Sequence, residues 1–401
     1  MTLQETSSPS VIAQELGYET RVLKSPAEIE EIRELWTSWQ DDPNANFELF
    51  QLLLKYRKEV LRPNVVVLSR RATIEAILLG RLEHARVPMK LGYLTLWKPR
   101  VRSLIVMRGG FIGSRSEDVA QAAVKGLMDA LAKGEADRIY ISNQREDSPM
   151  ARAALTLPGL LARDFAAARS LHRSMEIPPN PGDFLRRLKS KHRSWIKSKI
   201  RGLEARFPGS VSYRVFLKPE DLAQAVAHVE EVARQTYHRG MGVGLTQDVL
   251  QMDTLAMEAR GGRLRICILY AGGLPRAFWI GMVYGSTFHS GFTGYDPAMR
   301  EHELGTLVFV HLIDRLCEEK VKTLDFGLGD AFYKERFGDA FWTDVSISIY
   351  RPSLRGAVLK LAFTSCFYFD RLLRSVAQKL KMVNWVKRAW RSRLARGRAG
   401  S

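Results

Sequence analysis

The segment from residue 264 to residue 338 alternates strand-like and helix-like patterns and closes on a glycine-rich loop. Its sequence is LRICILYAGGLPRAFWIGMVYGSTFHSGFTGYDPAMREHELGTLVFVHLIDRLCEEKVKTLDFGLGDAFYKERFG. The first part predicts a strand, a hairpin turn at Gly272-Gly273 and two further strands that end at Tyr295. A helix beginning near Gly305 and a strand ending at Phe326 follow. A helix N-terminus beside strand ends and a polar glycine loop is typical of a site that holds an anionic ligand.

The composition is that of a globular protein large enough for two domains. The chain has 401 residues, of which 46% are hydrophobic and 26% are charged, so sizeable cores are available. Its three cysteines are far apart and form no CxxC motif, which disfavours disulfides or structural zinc and fits a reducing compartment. The first 18 residues contain acids and no apolar run, so they predict no signal peptide. Residues 356–369 are the most apolar stretch near the C-terminus and are too few to span a bilayer.

Two successive halves of mixed α/β structure are predicted from the order of the elements. In the first half, residues 25–40 predict a helix, with Ser25 and Glu28 in the spacing of a capping box. In the second half, residues 181–207 and 304–320 predict helices around a comparable set of strands. The predicted organisation is a disordered segment over 1–17, an α/β domain over 18–178, a second α/β domain over 179–352 and a helical tail over 353–401.

The net charge of +18 is concentrated in two segments. Residues 184–207 hold nine Lys/Arg and one acid, and residues 371–401 hold ten Lys/Arg and no acid, so the remaining chain is neutral overall. In the first segment, apolar residues at helical spacing predict one packed face and one cationic face. Such a face suits a diphosphate, a tRNA or an anionic membrane, or it is only a solvated surface.

The second basic segment predicts an amphipathic helix. Its apolar residues recur every three or four positions, it contains Trp385 and Trp390, and every formal charge in it is positive. Tryptophans and an apolar stripe opposite cations are typical of a helix that lies in a membrane interface. A nucleic-acid-binding arm would need neither the stripe nor the tryptophans. A helix docked on its own domain is the third alternative.

Five motifs occur in order between residues 180 and 340. They are KHRSW at 191–195, YHRG at 237–240, GGLPRA at 272–277, YD at 295–296 with LGTL at 304–307, and DFGLG at 325–329 with YKERF at 333–337. Together they resemble the GCN5-related N-acyltransferase (GNAT) superfamily, in the branch of CelD-like acyltransferases of bacterial cellulose biosynthesis, which is similar to the Fem-type aminoacyl transferases. The resemblance implies two tandem GNAT-like units, each with a mixed sheet, followed by the basic amphipathic helix. Some bacterial ceramide synthases belong to this superfamily.

The resemblance also implies a binding loop for the diphosphate of an acyl-CoA donor. In the family this loop has the form Gln/Arg-x-x-Gly-x-Gly/Ala. Arg300 and Gly305 match its outer positions, whereas Glu303 stands at the inner glycine. The predicted donor-binding residues are Arg300, His302, Leu304, Gly305 and Thr306. The departure at Glu303 keeps an acyl carrier protein or a charged tRNA open as the donor.

The family's chemistry is a direct attack of an amine on a thioester, with no covalent enzyme intermediate. It requires positioning, a backbone N–H that polarises the carbonyl where two central strands splay, and a general base. We predict His289 or Asp325 as the base and Tyr333 as the acid that protonates the leaving thiolate. The alternatives are that His289 is an ordinary sheet histidine and that Asp325 braces the loop by pairing with Lys334 or Arg336.

The remaining predicted contacts are those of the acceptor. They are assigned to Tyr295, Asp296, Lys334, Arg336 and His238. The histidines show no HExxH or other metal-binding spacing, so we expect no metal. No cofactor is expected either, and acyl-CoA enters as a co-substrate.

The sequence thus predicts a bacterial N-acyltransferase that is cytoplasmic and peripheral on the inner membrane. It would move an acyl group from acyl-CoA or an acyl carrier protein to the amine of an amphiphilic acceptor, first of all a sphingoid long-chain base to give a ceramide. One alternative is acyl or aminoacyl transfer to an exopolysaccharide or cell-wall precursor, with charged tRNA as the aminoacyl donor. Another is a non-catalytic membrane scaffold in polysaccharide assembly.

Overall fold

The computed structural model of the protein describes residues 17–92, 94–235, 245–246 and 248–379. Its side chains are described as far as Val376. His238, which is predicted to contact the acceptor, lies outside the described residues, and so does most of the basic C-terminal segment.

Strands and helices alternate along the described chain. The strands are β1 (Glu19–Leu23), β2 (Val60–Pro63), β3 (Val65–Arg70), β4 (Thr73–Arg86), β5 (Met89–Leu91), β6 (Leu94–Trp97), β7 (Arg100–Gly113), β8 (Arg138–Arg145), β9 (Ala168–Glu176), β10 (Val211–Phe216), β11 (Leu264–Ala271), β12 (Leu274–Tyr284), β13 (Thr287–Tyr295), β14 (Thr323–Leu328) and β15 (Ala340–Tyr350). The helices are α1 (Pro26–Glu30), α2 (Arg33–Trp39), α3 (Phe47–Tyr56), α4 (Glu117–Ala132), α5 (Pro149–Thr156), α6 (Asp183–Arg187), α7 (Ser190–Arg206), α8 (Leu222–Ala233), α9 (Val249–Arg260), α10 (Leu304–Glu318), α11 (Phe332–Phe337) and α12 (Leu354–Lys379).

Two compact units divide the chain, and each combines helices with a mixed sheet, as predicted. The described parts of residues 1–29, 59–168 and 345–401 form the first unit, and residues 30–58 and 169–344 form the second. Each unit therefore draws on separate stretches of sequence, whereas the predicted domains are continuous. Helices α2 and α3 belong to the second unit although they precede most of the first.

In the first unit the strand order is β1-β3-β4-β7-β8, followed by residues 345–350 of β15. β7 and β8 are parallel, and the pairs from β1 to β7 are antiparallel. Helix α4 packs on this sheet through small apolar residues such as Ala122 and Ala123, which are fully buried. Strands β5 and β6 form a separate two-stranded sheet.

In the second unit the strand order is β9-β14-β13-β12-β11-β10. Only β13 and β14 are parallel among the pairs of neighbouring strands described. Helix α10 buries Phe309 in a core that also contains Trp279 and Phe326, so the helix lies against the sheet next to the β13–β14 pair. Burial of such large apolar side chains is the main stabilising contribution to the unit.

Local capping residues account for several helix bounds. Ser25 and Glu28 form the predicted capping box, because Ser25 Oγ accepts from the Glu28 N–H at 3.3 Å and Glu28 Oε2 accepts from the Ser25 N–H at 2.8 Å. The predicted helix over 25–40 is interrupted and continues as α2. The predicted helix over 181–207 is likewise two helices, α6 and α7, because Leu188 between them is extended, with φ −72° and ψ 148°.

The C-terminal helix is present as α12 and begins at Leu354. Leu359 and Phe363 of this helix pack with Val101 and Tyr350 of the first unit. Among the described residues, no helix is both long and apolar enough to cross a membrane.

Candidate active site

The two parallel strands of the second unit part at His289 and Asp325. In the described residues β13 and β14 pair from Thr287 to His289 and from Thr323 to Asp325. Beyond these residues β13 continues beside β12, and β14 continues beside β9. The two strands thus diverge beyond His289 and Asp325, and the backbone N–H that would polarise a carbonyl group there stays a prediction.

A bulge in the neighbouring strand pair bends the sheet at the same level. The register of β12 and β13 shifts between Ile280 and Gly281. A Cβ at Gly281 would lie 2.2 Å from the ring of Phe288 and 2.5 Å from the carbonyl oxygen of His289. Glycine is therefore required here by the packing of the strand that carries His289.

The carboxylate of Asp325 joins two histidines. Its Oδ1 lies 2.5 Å from His172 Nε2 and accepts from the Gly327 N–H at 2.6 Å. Its Oδ2 lies 3.4 Å from His289 Nδ1. The last paired residues of the two parallel strands are thus in side-chain contact, and a third strand, β9, supplies His172.

His172 is held between two carboxylates. Its Nδ1 lies 2.7 Å from Asp344 Oδ2, opposite the contact of Nε2 with Asp325. The ring also stacks on Trp342 at a centroid distance of 4.3 Å, and the indole N–H of Trp342 donates to Asp344 Oδ1 at 2.8 Å. A proton on either ring nitrogen therefore has a carboxylate oxygen as its acceptor.

Sequence reasoning missed His172. In the sequence, His172 is only one of the histidines that lack metal-binding spacing. Its two partners lie 153 and 172 positions away in the chain, so no nearby residue points to them. No local motif marks such a residue. The sequence predicts a strand over residues 170–177, and this position within a strand is equally typical of a core histidine.

His289 has one ring nitrogen facing a carboxylate and one without a partner. Nδ1 faces Asp325, while Nε2 is buried and has no hydrogen-bond partner among the described residues. A carboxylate at Nδ1 favours the tautomer that carries the proton there, which leaves the lone pair on Nε2 available. A buried acceptor without a donor is costly unless a ligand supplies one. The arrangement suits a general base.

Tyr333 lies half-buried at the start of the segment that follows the glycine loop. Its ring contacts Trp279 and Phe326 edge-on, at centroid distances of 5.5 and 6.0 Å. This burial raises the pKa of Tyr333 to about 12, so the phenol keeps its proton at neutral pH. A protonated phenol can serve as a proton donor, the role predicted for it.

The loop that leads into α10 is folded around Asp296. Asp296 Oδ1 accepts from the Ala298 N–H at 2.9 Å and so caps the short 3₁₀ helix Pro297–His302. Its Oδ2 accepts from Arg276 Nη1 at 2.7 Å, and the side chain is buried. These contacts brace the loop, and the predicted contact of Asp296 with the acceptor stays a prediction.

Gly305 lies in the first turn of α10. A Cβ at this position would meet the ring of Tyr295 at 3.6 Å, an ordinary contact, so the packing of the protein does not require glycine here. Tyr295 is exposed, whereas Leu304 and Thr306 are buried. The first N–H groups of a helix have no intrahelical acceptor, and the helix dipole favours an anion there. A ligand that closely approaches the backbone would explain the glycine.

Glu303 adopts a backbone conformation that glycine adopts readily. Its φ of 54° and ψ of 41° are left-handed. Its carbonyl oxygen accepts from the N–H groups of Thr306 and Leu307 at 2.8 and 3.2 Å. Glu303 therefore departs from the family's loop only in its side chain, because its backbone has the conformation that a glycine at this position would allow.

Cations of α7 lie against the same loop. Lys199 Nζ donates to the carbonyl oxygen of Glu301. Arg206 Nη1 lies 3.0 Å from Glu301 Oε1 and 3.1 Å from His302 Nε2. Arg300 is exposed beside them. Two cations of the basic segment over 184–207 thus contact the predicted diphosphate loop, and binding of an anion by this segment stays a prediction.

The other predicted acceptor residues hold the segment after β14. Lys334 is buried, and its Nζ donates to the carbonyl oxygen of Leu328 at 2.6 Å. The guanidinium of Arg336 lies over the rings of Trp195 and Phe332, 5.0 and 4.6 Å from their centroids. Both side chains fix the glycine loop and α11 in place, and a contact with the acceptor stays a prediction.

Two phenylalanines next to this site are largely exposed. Phe332 begins α11 directly after the glycine loop, and Phe341 precedes Trp342, which stacks on His172. Each is 70% exposed. Large exposed aromatic side chains beside a polar site are suited to contact with an apolar ligand.

A family model covers most of the second unit. Residues 190–335 match the acetyltransferase (GNAT) domain. The second unit belongs to the GNAT superfamily. The match identifies an N-acyltransferase domain of GNAT type, a class of enzyme that uses acyl-CoA as co-substrate and an amine as acceptor. Among proteins of curated function, none is matched by this chain.

Solved structures of similar fold extend over both units. A conserved protein of unknown function from Bacteroides thetaiotaomicron is 13% identical over 80% of this chain and 97% of that chain, with a TM-score of 0.50. The C-terminal DUF2156 domain of a putative lysylphosphatidylglycerol synthetase from Agrobacterium fabrum is 12% identical over 85% and 96%, with a TM-score of 0.50. FemX is 10% identical over 82% and 96%, with a TM-score of 0.52. These likenesses concern the fold alone, and the likeness to FemX over both units confirms the predicted Fem-like fold.

Proposed function

We propose that the protein transfers an acyl group from acyl-CoA to the amine of an amphiphilic acceptor at the inner surface of a bacterial membrane. The acceptor that we propose first is a sphingoid long-chain base, which would yield a ceramide. The observation that carries the chemical part of the proposal is the His289–Asp325–His172 chain at the divergence of β13 and β14.

His289 is the proposed general base. Its Nε2 would take a proton from the acceptor's ammonium group, directly or through water, while Asp325 stabilises the charge that appears on the ring. Because His172 and Asp344 hold Asp325 from the other side, the carboxylate has little freedom to turn away. His172 is thus a positioning residue in this scheme.

The neutral amine would then attack the thioester carbonyl carbon, so that a C–N bond forms and the C–S bond breaks. A backbone N–H at the gap between β13 and β14 would stabilise the developing oxyanion. Tyr333, which is protonated at neutral pH because burial raises its pKa to about 12, would protonate the departing thiolate of coenzyme A. The second proton of the amine, which the nitrogen loses as the amide forms, would return to the Tyr333 phenolate directly or through water. The protein forms no covalent intermediate in this sequence.

The N-terminus of α10 is the proposed site of the donor's diphosphate. Gly305 leaves room for close approach to the backbone, and Lys199, Arg206 and His302 add positive charge or hydrogen-bond donors at the loop. The anionic donor would thus be held by the elements that the sequence predicts, with α7 as an additional support.

The exposed aromatic residues beside the site support an acceptor with an apolar chain. Phe332 and Phe341 would contact that chain while its amine reaches His289. The cation-rich residues 371–401 support a location at an anionic membrane, where such an acceptor resides. A sphingoid base fits both observations.

The test of the chemistry is steady-state kinetics with a long-chain acyl-CoA and a sphingoid base. His289→Ala and Asp325→Asn are expected to lower kcat by about a hundredfold to ten-thousandfold, since each removes part of the proposed base. His228→Ala is the matched control, because His228 lies in the same unit and contacts Tyr270 instead of the chain. Retention of more than a tenth of kcat by both site variants would contradict the assignment.

The acceptor class is tested with amines of different chain length. Phe332→Ser and Phe341→Ser should raise the KM for a sphingoid base and leave the KM for a short-chain amine unchanged. Mass spectrometry of the lipids of a deletion strain gives the second readout. Unchanged amide-linked lipids would remove the sphingoid base as the acceptor.

Aminoacyl transfer from a charged tRNA is the second candidate function. It is favoured by the cations of α7 beside the donor loop and by a glutamate at the position of the family's inner glycine. It predicts tRNA binding that weakens steeply with salt. Calorimetry with acyl-CoA and with tRNA separates the two donors.

A further inference from the structure

Helix α12 presents an apolar stripe on the side opposite to its packed face. Leu359 and Phe363 face the first unit. The residues of the stripe recur at helical spacing and are all exposed: Leu354, Val358, Leu361, Tyr368, Leu372 and Val376. Leu361, for example, is 69% exposed. Each member of the stripe favours burial, yet each is exposed in the described part of the chain.

Two other apolar segments of the first unit are attached to the same helix. The 160–165 loop is held by Tyr368 Oη, which donates to the Phe165 carbonyl oxygen at 2.7 Å, and by Lys360 Nζ, which donates to the Leu160 carbonyl oxygen. The sheet of β5 and β6 is held by the Gly92 N–H, which donates to Asp370 Oδ1. Three separate stretches of the chain thus meet at α12.

Both attached segments expose large apolar side chains. Leu160 and Leu161 are each 71% exposed, and Phe165 is also exposed. In the β5–β6 sheet, Leu94, Leu96 and Trp97 are exposed. A lone two-stranded sheet gains little stability by itself, and a contiguous apolar surface of this kind marks an interaction site.

The charges around this surface decide its partner. Residues 85–100, which carry the β5–β6 sheet, include four Lys/Arg and no acid, and residues 371–401 include ten and no acid. Lys90 lies within β5 and Lys98 directly follows β6, and both are exposed. Apolar side chains, a tryptophan and surrounding cations complement the interface of an anionic bilayer.

We infer that α12, the β5–β6 sheet and the 160–165 loop form one docking surface that inserts its apolar side chains into an anionic lipid bilayer. Only the location at a membrane rests on the proposed function; the chemistry of acyl transfer plays no part in the inference. The surface is broader than the basic C-terminal segment, because two segments more than 190 positions earlier in the chain contribute to it.

The experiment is co-sedimentation of the full chain with vesicles of equal parts phosphatidylglycerol and phosphatidylcholine, and with pure phosphatidylcholine vesicles. The variants are Leu96→Ser/Trp97→Ser in the β5–β6 sheet and Leu361→Ser/Leu372→Ser in the stripe. Each double variant is expected to weaken binding to the anionic vesicles about tenfold or more, since it removes two apolar side chains from contact with the bilayer. Val249→Ser, an exposed apolar residue of the second unit, is the control and should bind normally.

Thermal unfolding checks that the variants are folded. Because the altered side chains are exposed, the melting temperature should not change. Normal vesicle binding by both double variants would overturn the inference. So would a dimer in sedimentation velocity that the stripe variant converts to a monomer, since the stripe would then be covered by a second copy. Acyl transfer to a short soluble amine is measured in parallel, so that failure of the docking surface and failure of the proposed chemistry are told apart.

Discussion

At the scale of single residues, Gly305 offers the sharpest test of the donor site. Gly305→Ala adds a methyl group that the protein itself accommodates, since the nearest atom would be 3.6 Å away. The methyl group would instead occupy the space into which the diphosphate approaches the helix N-terminus. We expect an unchanged melting temperature and a KM for acyl-CoA raised about tenfold, by loss of close backbone hydrogen bonds to a charged group.

Gly281→Ala is the contrasting control for this prediction. Its Cβ would lie 2.2 Å from the Phe288 ring, so it should lower the free energy of unfolding by about 1–3 kcal/mol through overpacking. A melting temperature lowered equally in Gly305→Ala would contradict a ligand-imposed glycine at position 305.

The residues of the candidate site differ in how far the sequence could predict them. His289 and Asp325 could be predicted because they lie in one short segment, in which the order of strands, helix and loop can be recognised from the sequence pattern. His172 and Asp344 could not, since their roles depend on strands that meet only in the folded chain. For Lys334 the sequence predicts a contact with Asp325 or with the acceptor; the bond from its ammonium group to the Leu328 carbonyl oxygen depends on the backbone path and has no local signal.

At the scale of elements, helix α7 is expected to assist binding of the donor. The double variant Lys199→Gln/Arg206→Gln removes two cations beside the loop and should raise the KM for acyl-CoA about fivefold, with the larger effect at low salt. Initial-rate kinetics at two ionic strengths measures this.

Lys197→Gln is the matched control on the same helix. Lys197 is exposed, and its loss changes the net charge without touching the loop. If the rise in KM per removed charge were the same for Lys197→Gln as for the double variant, the effect would come from the net charge of the protein and not from the contacts with the loop.

Element types were easier to predict than their breaks and partners. The helix from Leu304 and the strands around it follow from periodicity, and the capping box at Ser25 is a local signal. The breaks near residues 31 and 188 carry no glycine or proline, so nothing local predicts them. The inclusion of α2 and α3 in the second unit is likewise a matter of tertiary packing.

At the scale of the whole molecule, alkaline pH should destabilise the second unit. Burial raises the pKa of Tyr213 and of Tyr333 to about 12, above the value of about 10 in the unfolded chain. The unfolded chain therefore loses these protons first, and the stability that they contribute is complete below pH 10 and is lost as the pH rises to about 12. The free energy of unfolding should fall by up to about 1.4 kcal/mol per pH unit for each group.

Urea titrations at a series of pH values between about 8 and 12 measure this slope. Replacement of both tyrosines by phenylalanine should flatten the curve in the window from pH 10 to pH 12. A slope that persists undiminished in that double variant would show that other groups are responsible.

The contacts of His172 also bear on the order in which the protein folds. This histidine joins carboxylates 153 and 172 positions further along the chain, and closing loops of that length is slow compared with forming a helix or a hairpin. The proposed base at His289 depends on the carboxylate that these late contacts immobilise. During refolding, the signal of helical structure should therefore recover well before acyl transfer does, and enzymatic activity would report the completion of the second unit rather than its collapse.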